Sequence, residues 1–78
     1  MVSEDLKDET VCVVGLGYVG YPLAEAFSRH IRTIGYDLDA KKIDRINARA
    51  TRVIATPDPA MIREADVVII AVPTPVTK

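Results

Sequence analysis

The chain has 78 residues, 49% of them hydrophobic and 27% charged, with a formal net charge of −1. That length allows one small domain or a piece of one, burying only about 60–65% of the surface its unfolded chain exposes, and the composition is too apolar for intrinsic disorder. The charge balance excludes electrostatic recruitment to nucleic acid or to a membrane surface, both of which need a basic excess, so small neutral or anionic ligands remain as partners. Cys12 is the only cysteine; it allows no intramolecular disulfide, suggests no cysteine-based metal site and suits a reducing, cytoplasmic setting. The opening MVSEDLKDET is polar and acidic, unlike a signal peptide, and no apolar run approaches membrane-spanning length.

In chain order, a polar tail over residues 1–9 precedes a domain over residues 10–78. Val11 to Val14 is a short β-branched run with Cys12 inside it, apolar on both faces as a strand covered on two sides requires. From Tyr18 to about His30, the residues Val19, Leu23, Ala24, Ala26, Phe27 and Ile31 fall near helical spacing, with Pro22 tolerated in the first turn. Thr33 to Tyr36 reads as a second brief strand, and Asp37 follows at its carboxyl end. Leu38-Asp39-Ala40 opens a second helix, with Asp39 as N-cap and Ile43, Ile46 and Ala50 as the buried stripe. Arg52 to Ala55 is a weak third strand, Thr56 to Pro59 a turn, and Ala60 to Glu64 a short helix. The last strand, Asp66 to Val72, is a continuous apolar run stopped by Pro73-Thr74-Pro75. The order β-α-β-α-β-α-β predicts an α/β domain: a parallel sheet of about four strands with right-handed crossovers and helices on both faces.

Three of the four glycines lie in Gly15-Leu16-Gly17-Tyr18-Val19-Gly20, a G-x-G-x-x-G pattern between the first strand and the first helix. A dinucleotide-binding reading needs the pattern in that place, and makes the domain a Rossmann-type half. Gly15 permits the tight turn, Gly17 lets a pyrophosphate approach bare main chain, and Gly20 lets the helix pack closely on the strand. Unpaired N–H groups at the helix start then face the phosphates. Asp37, 17 residues after Gly20, stands where a carboxylate accepts hydrogen bonds from the adenosine ribose hydroxyls and repels a 2′-phosphate, which favours NAD over NADP. The bland alternative makes Asp37 a solvated turn residue or a helix cap, a role Asp39 already fills.

GLGYVGYPLA, then GYDLDAKKI, then EADVVIIAVPTPV together resemble the NAD-binding domain of the UDP-glucose/GDP-mannose dehydrogenases from about Val11 to Thr77. The phrasing around VPTPV leans towards the branch acting on UDP-N-acetylhexosamines such as UDP-N-acetylmannosamine. The resemblance implies NAD as cofactor, oxidation of a nucleotide sugar to its uronic acid, and a place in polysaccharide biosynthesis. It also implies that Tyr18 and Val19 lie along the cofactor, that Asp37 holds the adenosine ribose, and that Lys42 contacts the same end. Val72, Pro73 and Thr74 belong to the V-P-T-P turn, whose threonine approaches the dinucleotide beyond the last strand. The family's sugar-binding domain and its cysteine nucleophile have no counterpart here, so neither catalytic residues nor binding of the nucleotide sugar are expected of these residues alone. Asn47 to Thr51 joins the second helix to the third strand almost directly, where the family carries a longer segment.

The remaining chemistry-bearing residues read as structural. Cys12 sits in a run expected to be buried, where a thiol behaves as a small hydrophobe. His30, the only histidine, favours the helix dipole near a carboxyl end. Lys41, Arg45 and Arg49 form a cationic stripe beside Asp44, a solvated face or else a docking surface for another domain or subunit. Tyr21, where the family often has an aliphatic residue, would touch a partner helix or the cofactor. Two other functional readings compete with the dehydrogenase: a stand-alone nucleotide-sensing regulatory module, and a chain that forms a homo-oligomer through an exposed edge of its last strand.

Overall fold

The β-branched runs and the helix-forming stretches resolve into four strands and three helical segments in the computed structural model, which describes residues 9–71. In order these are β1 (Thr10–Val14), α1 (Gly20–Ser28), β2 (Arg32–Tyr36), α2 (Ala40–Asn47), β3 (Ile54–Thr56), the 3-10 helix η1 (Pro59–Glu64) and β4 (Val67–Ile70). Every strand pair is parallel, and the sheet order is β3-β2-β1-β4, as expected of an α/β fold of Rossmann type. The chain steps outward from β1 to β3 and then returns to the other side of β1. That reversal makes the carboxyl end of β1 the place where open parallel sheets take ligands.

Alternation along the strands separates the two faces of the sheet. Val11 and Val13 join Leu16, Ala24, Ile43, Ile46, Val53 and Ala55 in one buried core, with Phe27, Ile31 and Ile69 packed against it. This is the face that α1 and α2 cover. The opposite face carries a row in register: Val68, Cys12, Ile34 and Ile54 lie side by side across β4, β1, β2 and β3. Cys12 and Ile34, in the middle, are fully buried, and η1 packs against β2. The ends of the row, Val68 and Ile54, are exposed, as is Ile70 one pleat further along. Both faces therefore carry helical cover, but that of the second is a single 3-10 segment. Asp58 caps it by accepting the Ala60 N–H at 2.9 Å, and Pro59 opens it.

Several expected boundaries are corrected. α1 begins at Gly20, because Tyr18 and Val19 are spent on the turn and are exposed. Its inner side is Ala24 and Ser28 with Tyr21 and Phe27, whereas Val19 and Ala26, expected in the apolar stripe, are exposed. The helix stops at Ser28, where the hydroxyl donates to the Glu25 carbonyl at 2.7 Å and the N–H groups of His30 and Ile31 both donate to the Phe27 carbonyl. α2 is capped by Asp39 as expected, with Ile43 and Ile46 buried. Ala50, however, lies beyond the helix and is exposed. The N–H groups of Ala48 and Arg49 close on the carbonyls of Asp44 and Ile46, the chain turns to β3, and Val53 supplies the buried side chain instead. β3 is Ile54–Thr56 rather than Arg52 to Ala55. β4 is Val67–Ile70, so Asp66 and Ala71, expected in the strand, flank it; Val72, Pro73 and Thr74 lie outside the described residues, as does the tail except Glu9.

Candidate functional site

Between β1 and α1 the backbone must change from strand to helix, and each glycine meets a different demand. Gly15 has φ of 100°, a left-handed conformation that side chains oppose, and its N–H donates to the Tyr36 carbonyl at 2.8 Å. Gly20 is required by space: a Cβ would overlap the Gly15 carbonyl oxygen and lie 3.3 Å from the Ala71 Cβ. Gly17 has neither reason. Its φ is not positive, it is exposed, and a Cβ there would meet nothing within 4 Å. Nothing among the described residues requires glycine at 17, and its main chain stands open to solvent. Tyr18 and Val19 follow it on the surface, 102% and 70% exposed, so their side chains are available rather than packed.

Asp37 sits just past β2, beside this turn. One carboxylate oxygen, Oδ2, accepts the Leu16 N–H at 2.9 Å and lies 3.5 Å from Lys42 Nζ; the other, Oδ1, accepts the Asp39 N–H at 2.9 Å. Partial burial pushes the Asp37 carboxyl up, but the two backbone N–H donors and the Lys42 ammonium outweigh it and hold the carboxyl below its ordinary value. The carboxylate is therefore charged at neutral pH, and since each of its oxygens offers two acceptor sites it retains capacity for a hydroxyl donor.

Gly15, Gly17, Gly20, Asp37 and Lys42 thus lie around the reversal point. Two concavities flank them. One, about 180 Å³, is lined by Val14, Gly15, Tyr36, Asp37 and Leu38 at the carboxyl ends of β1 and β2. The other, about 440 Å³, opens between α1 and α2, where Tyr18, Tyr21 and Pro22 face Lys42, Arg45 and Arg49. Lys41, expected in the cationic stripe, does not line it; Lys42 does.

Sequence reasoning missed how the turn is supported. Leu16 was read only as the first variable residue of the glycine pattern, yet its side chain is buried and its N–H binds Asp37. Gly35 makes room for it: a Cβ on Gly35 would lie 2.8 Å from Leu16 Cδ2 and 3.0 Å from Val53 Cγ1. A lone glycine inside a strand pattern is a signal of such close approach. Cys12 is buried, and burial raises its thiol pKa, in keeping with a packing role. Among the described residues no helix is long and apolar enough to cross a membrane.

The model of the UDP-glucose/GDP-mannose dehydrogenase family, NAD binding domain, matches residues 9–60. The chain belongs to that family. Among the proteins most similar to this member, the Protein CapL of Staphylococcus aureus is 36% identical over 84 residues, covering 91% of the chain and 20% of CapL. The UDP-N-acetyl-D-mannosamine dehydrogenases of Escherichia coli K12 and Campylobacter jejuni are 40% and 37% identical over 83 and 81 residues, covering 85% and 83% of the chain. The chain spans about 20% of the length of each of these three relatives. No solved structure matches it. NAD is the cofactor of this family's domain, and the residues present fit it: main chain at Gly17 with open space where a Cβ would stand, and the charged Asp37 carboxylate beside the turn.

Proposed function

We propose that this chain is the cofactor-binding portion of an NAD-dependent nucleotide-sugar 6-dehydrogenase that oxidises a UDP-sugar to its uronic acid. The observation that carries this reading is Gly17, a glycine with no strain to relieve and no neighbour to avoid, set beside Asp37 at the reversal of strand order. The names of the relatives support UDP-N-acetylmannosamine as the sugar nucleotide, and hence a cytoplasmic step in polysaccharide synthesis. NAD, when bound, accepts hydride from the sugar alcohol.

The chain's own residues bind and orient. Backbone N–H groups after Gly17 meet the pyrophosphate, with Tyr18 and Val19 beside it, while Asp37 accepts the adenosine ribose hydroxyls. Lys42 pairs with Asp37 and steadies that end; Val72, Pro73 and Thr74, outside the described residues, are further cofactor contacts by resemblance to the family. The steps that turn alcohol into acid belong to the length of the relatives that this chain does not span. Copies of the chain pair through β4, where Val67, Val68 and Ile70 are 47%, 45% and 72% exposed on an edge strand.

Titration of the isotope-labelled chain with NAD is the test. The amides of Gly15 to Gly20 and of Asp37 should shift together along one saturation curve. A spectrum unchanged at millimolar NAD, in a folded chain, would remove the reading.

A further inference from the structure

We propose that the cleft between α1 and α2 is a binding site for a phosphate monoester dianion, distinct from the crevice at the ends of the strands. At about 440 Å³ it is the larger of the two concavities and has room for a phosphate with a small ring attached. Lys42 and Arg45, three residues apart on α2, share one face of the helix, and Arg49, just past its end, lines the same side of the cleft. Leu16 and Ile46 form a buried apolar floor, and Tyr21 and Pro22 the opposite wall.

Arg49 is held in place. Its guanidinium carbon lies 4.9 Å from the centre of the Tyr21 ring, a cation–π contact that spans from the end of α2 to α1. The ring face accepts no N–H hydrogen bond that the structure records, so the Arg49 guanidinium keeps donors to meet phosphate oxygens. No carboxylate lines the cleft. The acids nearest by contact are Asp37, 3.5 Å from Lys42, and Glu25, which accepts the Tyr21 hydroxyl at 3.2 Å. Among the described residues neither Arg45 nor Arg49 has an acidic partner within ion-pair distance. Three cations face one cavity in a chain whose formal charge is −1. Such a local excess suits a ligand with two negative charges.

Two sources of that dianion share this chemistry. The cleft meets the glycine turn at Leu16 and Gly17, and Leu16 and Lys42 both contact Asp37, so it opens beside a ribose held at Asp37; a phosphate on the 2′-oxygen of that ribose is one source, with Lys42, Arg45 and Arg49 opposing its repulsion by the Asp37 carboxylate. A separate phosphorylated small molecule would fill it equally. The site stands on the cleft alone and does not require that NAD bind the glycine turn.

The test uses the labelled chain with inorganic phosphate, adenosine 2′-phosphate, NAD and NADP at matched ionic strength. Phosphate and adenosine 2′-phosphate should both shift the Tyr21, Arg45 and Arg49 signals, and the double variant Arg45→Gln, Arg49→Gln should weaken this by at least about tenfold. NAD shifts at Gly15 to Gly20 should be unchanged in that variant, so failure of the cleft and failure of the NAD reading are told apart. Both side chains are exposed, and circular dichroism checks that the variant is folded. Adenosine 2′-phosphate binding much more tightly than phosphate and competing with NAD assigns the site to a ribose-linked phosphate; equal affinities without competition assign it to a free phosphorylated ligand. Cleft signals that no phosphate compound moves, or that move equally in the variant, would overturn the proposal.

Discussion

Gly17 and Gly20 are chemically identical, but only Gly20 is fixed by the chain's own backbone; a Cβ at Gly17 would meet nothing. Gly20→Ala should cost about 3 kcal/mol or more, at the upper end for overpacking, because the added carbon overlaps a main-chain carbonyl that cannot rotate away. Gly17→Ala should change stability by no more than about 0.5 kcal/mol, yet lower NAD affinity clearly. Urea unfolding of both variants, beside NAD titration of Gly17→Ala, checks the pair of outcomes. Asp37 gives a second prediction. Its folded pKa is depressed, so the stability it contributes is complete above about pH 4 and is lost as the pH falls through the lowered value. The urea midpoint of the native chain should therefore drop as the pH falls below about 4, and that of Asp37→Asn should drop less over the same range. The glycine pattern and Asp37 were legible in the sequence because their spacing reflects a local event, one strand passing into one helix. The bond from Leu16 to Asp37 was not, since it joins residues 21 positions apart through the packing of Leu16 under Gly35.

Among the elements, the short helices depend on their caps. Asp39 Oδ1 accepts the N–H groups of Lys41 and Lys42 at 3.0 and 3.2 Å, and α2 has only eight residues, too few to persist without tertiary support. Asp39→Ala should cost about 1 kcal/mol, read as a lower urea midpoint with an unchanged slope. By contrast Arg32 and Glu64, 2.9 Å apart, are 45% and 49% exposed at the side chain, and solvent screening leaves Glu64→Gln within about 0.5 kcal/mol of the native chain. The caps were visible in the sequence at Asp39 and the turn at Pro57 to Pro59. The ends of the helices were less so: Ala50 continued the apolar spacing of α2, but the chain left the helix at Asn47 to bring Val53 into the core.

At the scale of the whole sheet, the described residues cover the two faces unevenly. Among them η1 is one 3-10 segment, and it buries the centre of its face while leaving Val68 and Ile70 exposed on β4, the end strand of the described sheet. Exposed apolar edge strands pair with one another. Sedimentation over a range of concentrations should show the chain self-associating, and Ile70→Lys, which adds charge to that edge, should return it to monomer. A variant that associates as strongly as the native chain would place the contact elsewhere.

Continuous β-branched runs, helical apolar spacing, turn prolines, the capping Asp39 and the glycine spacing fixed the element types, their order and the parallel sheet, because each reports a short-range constraint on backbone and side-chain direction. Tertiary structure alone decided that Gly15 and Gly20 answer to the fold and that Gly17 does not. It also decided that Asp37 supports the turn as well as facing the crevice, and that Lys42 rather than Lys41 joins Arg45 and Arg49 opposite Tyr21. These outcomes depend on what lies across a gap from each residue, and distance along the chain does not encode that.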